Sequence, residues 1–416
     1  MPTDAPFAPA RGFIPGLNDG TLGLLATAIL VLAAVLWSAR GPNVERTDFS
    51  LTYVGATIVR HGLGQYLYDI ALQKQIRDSL FRHPSPILFE HPPFEALLLS
   101  PLANFSYRTA YLLWGLLNAA VDVSLIVILR SHLAWPREDL GYVALWLLFA
   151  PLGVALYQGQ SSVLLLAFYA GAYVQLNRER EFMAGIALGF GLIKLQFVLP
   201  FAFIFLCRRK WRFLYGFAVT SVLLLVLSIV AVGWHGMTNY GHFLLRVGKN
   251  PQNISYGSGV DMPTIHGFVY ALLGSRLSVI EVNLLGAVLS VVMLGWVAWH
   301  WRPTKGKTSQ ELMFAAAVAT ALVSGSHMFT HDFCPMILPM FLAGAHFSKI
   351  PSSPLRWLMV STLLLFWTFP IYFICVAWHC LYLLAPVLLI FSYVAVRAAN
   401  YAGQNETATL NQVAVG

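Results

Sequence analysis

Three stretches of this chain hold side chains able to move a proton or hold a charge. The first is Glu45-Arg46-Thr47-Asp48, followed by Tyr53, Tyr68 and Asp69. A carboxylate such as Asp48 suits general-base work, because an alcohol is a poor nucleophile at neutral pH unless its proton leaves as the new bond forms. The second is Lys194, the only lysine deep in an apolar run. Burying it is costly unless it is paired, which makes an anionic phosphate an attractive partner. The third is His327 and His331, four residues apart, with Asp332 adjacent. This set suits contact with a phosphate or an acceptor, at a spacing also seen in metal sites. His91 before Pro92-Pro93, and Gln158 and Gln160 around Gly159, add polar groups at turns. Each has a plainer reading beside the chemical one. Asp48 has the type and place of a helix N-cap or of a partner for Arg46. Lys194 could snorkel or meet a helix-end carbonyl, the histidines could be packing residues, and the glutamines could simply turn the chain.

Composition decides what surrounds these groups. With 58% apolar, 14% aromatic and 11% charged residues among 416, there is too little polar surface to cover a soluble globule of this size. The bilayer is therefore its solvent. The net charge of +8 does not argue for nucleic acid, since Lys and Arg sit in short clusters between apolar runs. Cys207, Cys334, Cys375 and Cys380 show no Cys-x-x-Cys spacing and read as small packing residues, with a Cys375–Cys380 disulfide the remaining option. Nothing in these motifs requires a cofactor, although a divalent metal is not excluded.

Apolar runs able to cross a ~30 Å core at ~1.5 Å per residue fall at 21–37, 107–129, 140–157, 161–176, 213–232, 280–301, 312–324, 333–347, 357–373 and 376–396. No repeat or linker divides them, so 1–416 reads as one all-α polytopic domain of roughly ten or more spans. The run 182–206 has basic clusters at both ends and is broken near Lys194 and Pro200. It is expected to enter and return on the cytoplasmic side as two short helices. The run 94–104 is too short to cross and is expected to be re-entrant from outside.

The basic clusters around Arg178, Arg208, Arg302, Lys349 and Arg397 belong in the cytoplasm by the positive-inside rule. Outside then lie the loop 40–91, the turn 157–160, the second large loop 234–279 and the turn 327–332. Nine of the twelve histidines fall there or at an outer span end, which makes the outer face the working face. A transporter would more often carry such groups inside its helices. Only about ten residues separate Asp48 from the first span, so at ~3.3 Å per residue it stays near the membrane surface. Leu72, Ile76 and Leu80 recur at helical spacing and predict a helix lying in the interface.

The order Asp48-Phe49-x-x-x-Tyr53, Ala56, Gly64-x-x-x-Tyr68-Asp69 and His91-Pro92-Pro93, leading to Pro101-Leu102-Ala103, resembles glycosyltransferase family 87. Gly159-Gln160, Lys194 in a broken hairpin and Arg208-Arg209-Lys210-Trp211 extend the likeness. These are GT-C fold enzymes, similar to polyprenyl-phosphate-mannose-dependent mannosyltransferases. The resemblance implies a bacterial inner-membrane hexosyltransferase with a periplasmic site. Its partners would be a polyprenyl-phosphate sugar, a lipid or glycan acceptor and membrane lipids. It implies Asp48 as general base in a single inverting displacement; Lys194, His327 and His331 are then the candidates for the donor phosphate. Tyr53, Tyr68, His91, Gln158, Gln160 and Asp332 would contact substrate. The chain departs from the pattern at two points: Glu45 is the only acid near Asp48, and Leu195 stands where relatives carry proline after the lysine. The rival readings are a lipid-carrier flippase or other transport protein, and a polymerase or ligase of lipid-linked glycans.

Overall fold

The computed structural model describes residues 19–82, 85, 87–133, 140–249, 259–301, 306–350 and 353–415. Among the described residues every regular element is helical. The protein is an all-α polytopic membrane protein. Its helices in order are α1 (Asp19–Arg40), α2 (Phe49–Arg60), α3 (Ile70–Leu80), α4 (Pro93–Leu99), α5 (Tyr107–His132), α6 (Leu140–Leu147), α7 (Ala150–Gln158), α8 (Ser162–Asn177) and α9 (Glu181–Gly189). They continue as α10 (Leu195–Cys207), α11 (Trp211–Lys249), α12 (Ile265–Leu273), α13 (Val279–His300), α14 (Lys307–Val323), α15 (Ile337–Ala345), α16 (Ser353–Trp367), α17 (Phe369–Ala377) and α18 (Leu384–Val415). Much apolar side-chain surface remains exposed on α1, α11 and α13, Val230 at 70% and Ile280 at 70% among them. Lipid is the medium that makes such exposure stable.

Among the described residues six helical runs are long and apolar enough to cross a bilayer, and two bent pairs, α6 with α7 and α16 with α17, raise this to eight. One of the six, Glu181–Cys207, has the length to cross once but does not do so. Lys210 just beyond its end pairs with Glu181 at its start, 2.5 Å apart, and Phe205 stacks on Phe213 with ring centroids 4.0 Å apart. Both ends of the run therefore lie at one level, and α9 and α10 form the hairpin that the flanking basic clusters predict. With the hairpin set aside, the described residues hold five long apolar runs and the two bent pairs, with α8 as a shorter apolar helix beside them. The helix α4, continued by a 3-10 turn at Ser100–Asn104, is too short to span. Its Phe94 packs with Ile193 and Leu224, as a short element dipping in from the other face should.

The loop between α1 and α5 is a tied structure. Gln73 of α3 is buried, donates to the Leu67 and Phe89 carbonyls at 2.7 and 3.1 Å and accepts from the Phe89 amide at 2.7 Å. Leu72 and Ile76 face the local core while Leu80 stays 39% exposed, as an interfacial helix requires. Gly64 lies so near α11 that a Cβ there would sit 2.0 Å from the Ala231 carbonyl oxygen, so only glycine permits this contact. Beyond it α11 breaks at Gly233, where φ is 67°, and runs on over the loop. At the opposite face Glu311 joins His346 at 2.5 Å and Tyr173 at 2.7 Å, and Arg208 lies 4.4 Å over the Trp301 ring. The spans thus run between a basic face and a face capped by loops and short helices.

Candidate active site

Asp48 occupies the N-cap position of α2, yet its side chain makes no capping bond. Instead its Oδ2 accepts from Gln160 Nε2 at 2.8 Å, and its backbone N–H donates to Gln158 Oε1 at 3.1 Å. The plain reading of Asp48 as a cap is therefore overturned. The Gln158-Gly159-Gln160 turn is held from below by Tyr111, which donates to the Tyr157 carbonyl at 2.5 Å, and by Trp114, which donates to the Gly159 carbonyl at 2.8 Å. Gly159 has φ of 65°, and a Cβ there would meet that of Phe49 at 2.7 Å. Glycine alone fits, and it sets both glutamines against Asp48.

Lys194 stands at the tip of the α9–α10 hairpin, where φ of −126° and ψ of 69° interrupt the helix. Its ammonium donates to Gln160 Oε1 at 3.0 Å and to Asp332 Oδ1 at 2.6 Å. Asp332 also accepts from Ser162 Oγ at 3.1 Å and from the Phe329 amide at 3.0 Å. His331 completes the group, with Nδ1 3.8 Å from Asp48 Oδ2 and Nε2 3.5 Å from Asp332 Oδ2. Both distances exceed a hydrogen bond and are short enough for charge to act. Four chain regions thus meet in one group, in which Asp332 and Lys194 are 2% and 5% exposed and Asp48 is 16% exposed. Asp48 Oδ1 has no protein partner among the described residues.

Burial works to raise the Asp332 pKa, but the charges of His331 and Lys194, with the Lys194 and Phe329 hydrogen bonds, hold it well below the usual carboxylate range. Burial pulls the His331 pKa down by more than the Asp332 charge restores, and the Lys194 charge adds to the fall. His327, bonded to Gln196 at 3.1 Å, is brought down to about 4, chiefly by burial, with Asp332 opposing and Lys194 adding to the fall. With lowered pKa values both rings carry one N–H at pH 7; that of His327 lies toward Ser326 Oγ at 3.2 Å, because its Nε2 accepts from Gln196. His91 shifts the other way: burial lowers its pKa, but Glu95, 2.7 Å from its Nδ1, reverses this and raises it.

These groups line one end of a cavity of about 1400 Å³. Asp48, Glu90, His91, Gln158, Gln160, Lys194, Gln196, His327, His331 and Asp332 form its polar end. From there an apolar groove runs between α10 (Leu199, Pro200, Phe203) and α13 (Val282, Gly286, Val291, Leu294). From Lys194 to Phe203 it descends roughly 14 Å at a helical rise of ~1.5 Å per residue. Leu199 and Val291 on its rim are 47% and 52% exposed, so the groove opens sideways to lipid. Among the described residues no three His, Cys, Asp or Glu side chains are arranged to hold a metal ion.

The structure gathers eight of the sequence-derived candidates, Asp48, His91, Gln158, Gln160, Lys194, His327, His331 and Asp332, around this end. It sets two apart: Tyr53 donates to the Phe105 carbonyl at 2.6 Å and Tyr68 to the His91 carbonyl at 2.7 Å, and neither lines the cavity. Their hydroxyls brace the loop that carries Asp48 and His91. Sequence reasoning missed Glu90, Gln196, Ser162 and Tyr240. Gln196 was within reach of it, as a polar residue two places from Lys194 in an apolar run. Tyr240 carries no local signal, because the α11 break that brings it over the loop is a tertiary feature.

Comparison with known families settles the class. The pattern of glycosyltransferase family 87 matches residues 89–328, more than half of the chain. The chain belongs to glycosyltransferase family 87. As a member of this family it is a membrane glycosyltransferase, with a sugar donor, an acceptor and lipids around it. The family match covers His91, Gln158, Gln160, Lys194 and His327. Asp48, His331 and Asp332 lie outside it and join the matched residues through the contacts above. No curated protein and no solved structure gives a significant match to the chain.

Proposed function

We propose that this family 87 enzyme takes a monosaccharide from a polyprenyl-phosphate carrier and transfers it to a hydroxyl of a lipid or glycan acceptor. The observation that carries the reading is the continuity of the cavity: one end holds the Asp48, Glu90 and Asp332 carboxylates, the Lys194 ammonium and three imidazoles, and from it a mainly apolar groove along α10 and α13 opens to the bilayer. A donor with a charged phosphate on a long isoprenoid chain matches both parts. A water-soluble nucleotide sugar would leave the groove unused.

In this reading the acceptor hydroxyl gives its proton to Asp48 Oδ1 as its oxygen bonds to the anomeric carbon. The bond from that carbon to the phosphate oxygen breaks on the opposite side, its electron pair leaves with the phosphate, and the configuration inverts. Lys194 has three N–H donors, two of which are used by Gln160 and Asp332. The third meets the growing charge on the leaving phosphate, helped by the neutral His331 and by His327 once its N–H turns from Ser326 to the phosphate. Asp332 and Gln160 keep the lysine at the hairpin tip. The working face is the periplasmic face of a bacterial inner membrane, and polyprenyl-phosphate mannose is the first donor to try. The deciding experiment incubates purified enzyme with a labelled polyprenyl-phosphate monosaccharide and a lipid extract. Release of free polyprenyl phosphate with label in a product supports transfer. Label that changes leaflet in vesicles without release would indicate a flippase instead.

A further inference from the structure

We propose that Tyr240, with Glu90 and His91, forms a second polar subsite that binds hydroxyls of a pyranose ring, apart from the group around Asp48 and Lys194. The proposal rests on the transferase reading and adds where the sugar is gripped. Tyr240 lies on the outer part of α11, past the break at Gly233, and lines the cavity with Glu90 and His91. Only 9% of the residue is exposed, and its hydroxyl has no hydrogen-bond partner in the protein. A buried hydroxyl without a partner is costly, which points to a ligand group as its missing partner.

The placement of Tyr240 is built rather than incidental. Its ring stacks on Tyr68 with centroids 4.6 Å apart and an interplanar angle of 29°. Tyr68 in turn donates to the His91 carbonyl, and the Gly64–Ala231 contact fixes α11 over the same loop. His91 connects this wall to the reacting end, for it is close enough to Lys194 and His331 for their charges to act on one another. A hydroxyl at Tyr240, a carboxylate at Glu90 and the His91 imidazole are groups that hydrogen-bond sugar hydroxyls. The wall holds no lysine or arginine, so a second phosphate does not fit it.

The test is Tyr240→Phe, which keeps the stacked ring and removes only the hydroxyl. With wild-type turnover of a polyprenyl-phosphate sugar established, the variant should keep its melting temperature and raise the KM of one substrate about three- to tenfold. A rise for the donor places the transferred sugar here, and a rise for the acceptor places the acceptor sugar here. Unchanged KM for both substrates overturns the subsite. A wild type that turns over no lipid-phosphate sugar defeats the proposed donor class instead, so the two failures are distinct.

Discussion

Asp48 and Lys194 hold opposite ends of one side-chain amide: Gln160 donates to Asp48 Oδ2 at 2.8 Å and accepts from the Lys194 ammonium at 3.0 Å. A carboxylate can only accept and an ammonium can only donate, so the partners dictate which way the amide points. The base and the cation are thereby kept one amide apart, with cavity in front of both. That gap suits a reacting carbon, with the incoming hydroxyl on the Asp48 side and the phosphate on the Lys194 side.

Lys194 must be tested together with Asp332. Lys194→Met alone strands a buried carboxylate, which typically costs about 3–5 kcal/mol, and lost activity would then report only unfolding. The double variant Lys194→Met with Asp332→Asn removes both charges. It should fold, yet raise donor KM and lower kcat together. Lys194→Arg should retain part of the activity, because at a point contact charge matters more than shape. Wild-type donor kinetics in the double variant would assign the pair to structure.

Sidedness can be read with cysteines. In a cysteine-free background, Cys placed at the exposed position His61 should react with an impermeant thiol reagent from the periplasmic side, and Cys at the exposed position Asn177 should not. Ser309, which the sequence reading puts in a cytoplasmic loop, is buried at 4% exposure and would be silent from either side. Ser258, expected on the outer face as part of the loop 234–279, lies outside the described residues. Reversed labelling of His61 and Asn177 would place the cavity on the cytoplasmic side.

The burial of His327 leaves a mark on stability. Its folded pKa is about 4, against ~6.5 in an unfolded chain. Between these values the unfolded chain binds a proton that the folded protein refuses, so stability falls as pH falls through this window. The melting temperature of the detergent-solubilised enzyme should drop from about pH 7 to about pH 5. His327→Gln should lose part of that slope. His91, with its pKa raised, acts in another window: its contribution is complete below about 6.5 and is lost as pH rises through its higher folded value. An unchanged slope in His327→Gln would contradict the neutral, half-buried ring.

The parts legible in the sequence are those that repeat or stand out against an apolar background. Lys194 is visible because charge in an apolar run is expensive, Asp332 because it adjoins His327 and His331 in one polar turn, and the α9–α10 hairpin because basic clusters flank it at both ends. That Lys194 pairs with Asp332, 138 residues away, is beyond any local pattern. So is the role of Tyr53 and Tyr68, whose place among the motifs suggests substrate contact while their hydroxyls meet backbone carbonyls. A tyrosine buries its ring and seeks any acceptor, so sequence does not distinguish a brace from a binder.

The central claim is that Asp48 takes the acceptor proton, and Asp48→Asn tests it most directly. Asparagine retains the size of the side chain and an oxygen for Gln160, but cannot take up the proton. The nearby acids are engaged elsewhere: Glu45 accepts from the Arg82 amide at 3.2 Å, and Asp69 caps α3 through the Leu72 amide at 2.9 Å. The measurement is the single-turnover rate of sugar transfer by purified enzyme on its best donor, with donor binding and melting temperature recorded alongside. The account predicts a rate lower by roughly 10²- to 10⁴-fold with donor binding and stability kept. A variant that folds and retains more than about a tenth of the wild-type rate would show that Asp48 is not the base.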